Sequence, residues 1–244
     1  MYIKSNIFSN IAFLLCLAVL FSFYCVGGSW LFDKTVRAHA VEANASSSDK
    51  KRILIDPGHG GEDGGTVGIN GVLEKDLNLS LSEVLGTVLQ FSGYEVIMTR
   101  TEDKLLYDTN EDYKGRKKIL DLKNRLEIAQ KTEPDIFIGI HMNAFPEQKY
   151  SGLSLYYSKN TSASKNAAEI IRSDVKNSLQ PNNNREIKAA NSSIYILNKI
   201  TCPAVLIECG FLSNTDECEK LSSYSYRHKL SLVFYSSPVS FLEK

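Results

Sequence analysis

Two histidines, His59 and His141, each stand just past an apolar run, RILID (52–56) and IFIGI (136–140). Such runs read as buried strands, so both histidines are predicted at the carboxyl edge of a sheet, where open α/β folds bind ligands. A single histidine there is more often a hydrogen-bonded rim residue than a ligand. Two at one edge shift the balance, because neutral imidazoles from neighbouring strand ends suit a divalent zinc ion. His59 sits in a glycine-rich turn, Asp56-Pro57-Gly58-His59-Gly60-Gly61, whose glycines let backbone come close to whatever the ring faces. Neither a Lys-Ser/Thr pair after this turn nor a GxGxxG is present, which argues against a nucleotide site.

A metal that keeps one position open for chemistry needs a third protein donor. Glu74, in Leu73-Glu74-Lys75-Asp76, opens the next helical pattern and has two readings: a ligand, or, with Asp76, a mere partner of the helix macrodipole. Glu208 ends the apolar run AVLIE (204–208), where a carboxylate is unfavourable without a partner. If it shares the edge with the histidines, it can take a proton from a water that the metal has acidified. Otherwise it is a strand-end glutamate in water. Cys209 offers a rival chemistry, a thiolate activated by His141, but neighbouring strand residues face opposite ways, so Cys209 turns away if Glu208 turns in.

The elements that must position these residues alternate along the chain. Strand-like runs at 52–56, 95–99, 136–140, 153–157, 194–197 and 204–208 are separated by helical stripes. The clearest are Leu77, Leu81, Val84, Leu85, Val88 and Leu89; then Ile119, Leu122, Leu126 and Ala129; then Ala167, Ile170, Ile171, Val175 and Leu179. This predicts one α/β domain, residues 52–244, with a mostly parallel, twisted sheet of about six strands and helices on both faces. Residues 101–115 read as a rim loop.

Ahead of the domain, Lys4 precedes an apolar run from Ile11 to Val26, with a second patch at Trp30–Phe32. Residues 1–32 therefore read as a signal peptide or a membrane anchor, both open, and the polar, Ala- and Ser-rich residues 33–51 as a flexible tether. Lys plus Arg equals Asp plus Glu at 28 each among 244 residues, a balance that disfavours nucleic acid as a partner. Of five cysteines, Cys202, Cys209 and Cys218 fall in the domain. They match no zinc-finger spacing and read as buried thiols, with a Cys202–Cys218 or Cys209–Cys218 disulfide as the alternative.

Taken in order, ILIDPGHGGEDGG, LEKD, VIMTR, the Arg125 helix, IGIHMNA and PAVLIECGFLSN resemble the motifs of zinc-dependent N-acetylmuramoyl-L-alanine amidases of the amidase-3 type. The likeness spans about residues 52 to 216. GRKK (115–118), the DLKNR helix, the Ser-Gly-x-x-x-Tyr-Tyr strand and the N-terminal segment resemble most the germination-specific branch found in endospore formers. The resemblance implies one zinc ion on His59, Glu74 and His141, with Glu208 as the catalytic carboxylate. It also implies Asn143 and Arg125 as substrate-binding residues near the site. The implied substrate is peptidoglycan, cut between N-acetylmuramic acid and L-alanine outside the cytoplasm, in the sporulation branch ahead of muramic-δ-lactam formation in the cortex. Another zinc peptidase or a non-catalytic wall-binding module are the competing readings. The interval from His141 to Glu208 shows one clear helix, so the inserted autoinhibitory helix of some relatives is expected to be absent and any regulation to come from elsewhere, such as a partner protein or zinc occupancy. Pro238 is expected to interrupt a final helix.

Overall fold

The computed structural model describes residues 50–107 and 115–243. The predicted targeting segment at 1–32 and nearly all of the tether lie outside them. Lys51–Lys244 forms one compact unit. Its elements are β1 (Arg52–Pro57), α1 (Glu74–Phe91), β2 (Glu95–Met98), α2 (Lys117–Thr132), β3 (Ile136–Asn143), β4 (Ser154–Tyr157), α3 (Ser162–Ser178), β5 (Lys188–Ala189), α4 (Tyr195–Lys199), β6 (Ala204–Phe211), α5 (Thr215–Ser222) and α6 (Tyr224–Leu242).

The six strands form one sheet in the order β2-β1-β3-β6-β4-β5. Every neighbouring pair is parallel except β4 with β6. The sheet is thus mixed, and its three central strands bring Asp56, His141 and Glu208 to one edge. The register is direct: Asp56 pairs with Gly139, and His141 pairs with Glu208. Ser154 of β4 pairs with Glu208 from the other side.

Both faces of the sheet are covered, which is why the central strands are apolar at consecutive positions rather than alternating. On one face Ile53, Ile55, Ile138 and Ile207 pack with the α1 stripe, Leu77, Leu81, Leu85 and Leu89, and with Leu230 and Phe234 of α6. On the other, Leu54, Phe137 and Ala204 pack with Leu126 of α2 and Leu197 of α4. Each fully buried aliphatic side chain of this kind contributes about 2 kcal/mol. That rigid slab fixes the strand ends and therefore the side chains beyond them.

Two sequence expectations are corrected. The run IYIL (194–197) is not a strand: Tyr195–Lys199 is a short helix, and the sixth strand is the exposed pair Lys188–Ala189. Periodicity cannot separate a strand from a helix over four apolar residues; here Ile196 and Leu197 both pack into the same cluster. Pro238 does not end the last helix either, which continues to Leu242. Serine hydroxyls share the hydrogen bonding of that turn. Ser236 and Ser237 donate to Val233 O, Ser240 donates to Ser236 O, and Ser237 also donates to Asp174 of α3.

Candidate metal centre

The chain leaves β1 through a turn with little freedom. Gly58 lies against the His141 ring, and a Cβ there would come within 2.1 Å of it. His59 follows with φ 61°, a left-handed conformation uncommon outside glycine and imposed here by its surroundings. The imposing groups are two buried arginines. Arg100 donates to Pro57 O, Gly58 O, Lys75 O and Glu102 O. Arg125 donates to Pro57 O and His59 O, and its remaining bonds go to Asp56, Asp121 and, at 3.5 Å, the Thr99 hydroxyl.

This turn swings His59 towards the first turn of α1, where the two acidic residues part. Asp76 is exposed, while Glu74 is 3% exposed and faces inward. Its Oε1 lies 3.2 Å from His59 Nε2 and 3.1 Å from His141 Nδ1 and accepts the Met142 N–H, while Oε2 accepts the Thr66 N–H. The two rings meet edge to face, with centroids 5.1 Å apart. One donor atom from each of His59, Glu74 and His141 lies within 4.8 Å of the others. Two nitrogens and one carboxylate oxygen at such spacing form a donor set that fits a divalent cation with a free position.

Electrostatics mark the same cluster. Burial alone would raise the Glu74 pKa, yet hydrogen bonds and charge from His141 and His59 hold it far below the ordinary carboxylate range. Burial works against protonation of His59 as well, and is outweighed by Glu74 and by Asp63, so its pKa rises. Asp63 Oδ2 lies 2.9 Å from His59 Nδ1. A carboxylate on the far nitrogen orients a ligating imidazole and fixes its tautomer. Sequence reasoning missed Asp63; its place four residues after His59 in the same glycine-rich loop was the available signal.

Glu208 behaves differently. Its Oε2 is buried and has no hydrogen-bond partner. Burial pushes its pKa from the ordinary 4.5 to about 7; Glu74 adds to the rise and the two histidines oppose it. It lines two cavities that meet at His59 and His141. One, of about 390 Å³, opens past Thr66 and Asn143; the other, of about 220 Å³, runs down the α2–α4 face past Leu122, Phe137 and Ile194. Asn143 is therefore in the cleft wall. The Arg125 side chain, 2% exposed, is committed to Asp56, Asp121 and backbone carbonyls under the His59 loop. Cys209 is 1% exposed on the opposite face, with its thiol pKa pushed well up by burial, so the thiolate rival has no basis. Cys202, Cys209 and Cys218 are all free, and neither suggested disulfide forms.

Comparison with known proteins agrees with this geometry. A family model described as N-acetylmuramoyl-L-alanine amidase matches residues 53–236. The chain is 37% identical over 185 residues to the germination-specific N-acetylmuramoyl-L-alanine amidase of Bacillus subtilis (strain 168), covering 76% of this chain and 77% of that one. Among solved structures it is similar to the CwlD amidase from Clostridioides difficile in complex with the GerS lipoprotein. That match has TM-score 0.75 and 37% identity and covers 80% of this chain and 99% of the other. It is also similar to the amidase AmiC2 of Nostoc punctiforme, with TM-score 0.70, 27% identity and coverage of 81% and 100%.

Proposed function

The chain belongs to the Amidase_3 family of N-acetylmuramoyl-L-alanine amidases, hydrolases of peptidoglycan, and on that premise we propose how its own residues divide the work. His59, Glu74 and His141 hold one zinc ion, and Glu208 is the catalytic carboxylate. When bound, zinc supplies Lewis acidity, lowering the pKa of a water and polarising the scissile carbonyl. Asp63 keeps the His59 ring turned to the ion. Glu208 takes the proton of the attacking water on its open carboxylate and returns it to the departing nitrogen of L-alanine, so that an amine leaves rather than an amide anion. Asn143, in the cleft wall, contacts substrate. Arg125 acts as a positioning residue, holding the His59 loop from below.

The observation that carries this reading is the contrast between a tightly bonded His-Glu-His cluster and a buried, unpartnered carboxylate oxygen facing the same cavities. A wall-binding module has no need of such an oxygen. The 37% identity to a germination-specific amidase supports a role in spore cortex maturation, ahead of muramic-δ-lactam formation. The substrate implies action outside the cytoplasm, with the N-terminal apolar run as signal peptide or anchor. The complex of the similar C. difficile amidase with a lipoprotein supports including an extracytoplasmic protein partner in the same reading. Among the described residues, no helix is long and apolar enough to cross a membrane.

The test is metal analysis of the purified protein together with mass spectrometry of digested peptidoglycan. One zinc per chain and a new L-alanine amino terminus are expected. New D-alanine or diaminopimelate termini with intact muramyl–alanine bonds would instead favour a zinc peptidase.

A further inference from the structure

One turn beyond Glu74, on the buried face of α1, stands an asparagine that packing against the sheet does not explain. Asn78 is 0% exposed and shares that face with Leu77, Leu81 and Leu85, where helical periodicity favours an apolar residue. One end of its amide faces two acceptors, Gly58 O at 3.1 Å and Glu74 Oε1 at 3.4 Å, so that end is the NH2 group. The other end, Oδ1, is buried with no hydrogen-bond partner. A buried acceptor left unpaired costs folding free energy, and a leucine of the same shape would avoid that cost. The amide is thus paired only on the side of the metal position. Gly58, its first acceptor, lies against the His141 ring and directly precedes His59.

The bonds to Glu74 change in weight once a cation is held. An imidazole nitrogen that ligates a metal carries no proton towards it, so the approaches of His59 Nε2 and His141 Nδ1 to Oε1 cease to be hydrogen bonds. Among the described residues, what then still holds the carboxylate is the Met142 N–H and the Asn78 amide on Oε1, and the Thr66 N–H on Oε2. Two of these three donors are backbone, and Asn78 is the one side chain. We propose that Asn78 is a positioning residue for the metal centre: its amide, anchored on Gly58 O, holds the Glu74 carboxylate beside His59 and His141 so that the three donors share one ion. The inference rests on the metal-site part of the reading above. At 3.4 Å the bond to Glu74 is long, so it adds little to the stability of the metal-free fold. Its role lies in where it keeps the ligand.

The test measures zinc affinity of the full chain by competition with a chromophoric chelator, and urea unfolding of the same proteins without metal. Asn78→Leu keeps the shape and removes both the donor and the unpaired acceptor, while Gly58 O retains its bond from Arg100. It is expected to weaken zinc binding about 10- to 100-fold, the usual effect of removing a group that orients a ligand, with the metal-free unfolding midpoint close to that of the wild type. Asn78→Ser, too short to reach Glu74, should weaken zinc binding in the same way and covers the case of a leucine that does not pack. Ser82→Ala removes the next buried, unpartnered polar group on the same helix face and should leave zinc affinity unchanged. In a double-mutant cycle with Glu74→Gln, the loss caused by Asn78→Leu should largely vanish, because the amide acts through that carboxylate. Zinc binding as tight as the wild type's in both Asn78 variants, an equal loss in Ser82→Ala, or a loss that persists undiminished in the Glu74→Gln background overturns the assignment. A wild-type chain that binds no zinc strikes at the metal-centre reading itself, a separate result.

Discussion

Asp56 and Glu208 are carboxylates at one sheet edge, on strands separated only by β3, and they have opposite surroundings. Asp56, 2% exposed, receives the Arg125 guanidinium and the Thr99 hydroxyl. Burial raises its pKa, but Arg125 and Thr99 outweigh burial and hold it below the ordinary range. Glu208 has no such partner, and burial lifts its pKa to about 7. The first carboxylate is satisfied and holds a loop in place. The second keeps an oxygen that can accept a proton. A fold that completes its hydrogen bonding around one acid and withholds it from another two strands away gives the two acids different capacities for a proton.

The sharpest way to break this comparison is at the open acid. Glu208→Gln should retain metal and lose about 10²- to 10⁴-fold in kcat, the usual contribution of a positioned proton-transfer group, whereas His141→Ala should lose metal and activity together. Metal content and turnover measured on the same preparations decide it, and substantial hydrolysis by Glu208→Gln removes the assigned role. At the paired acid the effect should fall on stability first. Arg125→Met leaves Asp56 and Asp121 buried without their cation, and removing one partner of a buried pair destabilises by about 3–5 kcal/mol. Urea unfolding checks this; a variant as stable as wild type but with raised KM would make Arg125 a substrate contact after all.

The smallest expected effect is a pH dependence that should appear in one acid and not the other. In the metal-free protein the Glu208 pKa is raised on folding from 4.5 to about 7. Its contribution to stability is therefore complete below about pH 4.5 and is lost as pH rises through about 7. Metal-free wild type should lose stability across that window relative to metal-free Glu208→Gln. Parallel curves for the two proteins from pH 5 to 8 would show that Glu208 is solvated after all.

Much of the site was legible in order along the chain. His59, His141 and Glu208 each follow an apolar run, and strand ends are where parallel sheets present side chains, so their common edge could be read from pattern alone. Glu74 was ambiguous because the macrodipole also favours acids in a first helical turn. In the structure Glu74 is buried against both imidazoles while Asp76 is exposed, a matter of which way α1 is rotated on the sheet.

Local sequence determined the strand and helix alternation and the chemistry-bearing side chains at its boundaries, because burial on both sheet faces imposes long apolar runs with abrupt ends. Tertiary structure alone decided that IYIL (194–197) becomes a helical wall of the cleft, that α6 runs through Pro238, that Asp63 turns onto His59, and that Arg125 is consumed by Asp56 and Asp121. Each of these depends on partners distant in sequence or on the geometry of a single turn. The energy of a buried polar group is set by what it meets, and a linear pattern does not record that.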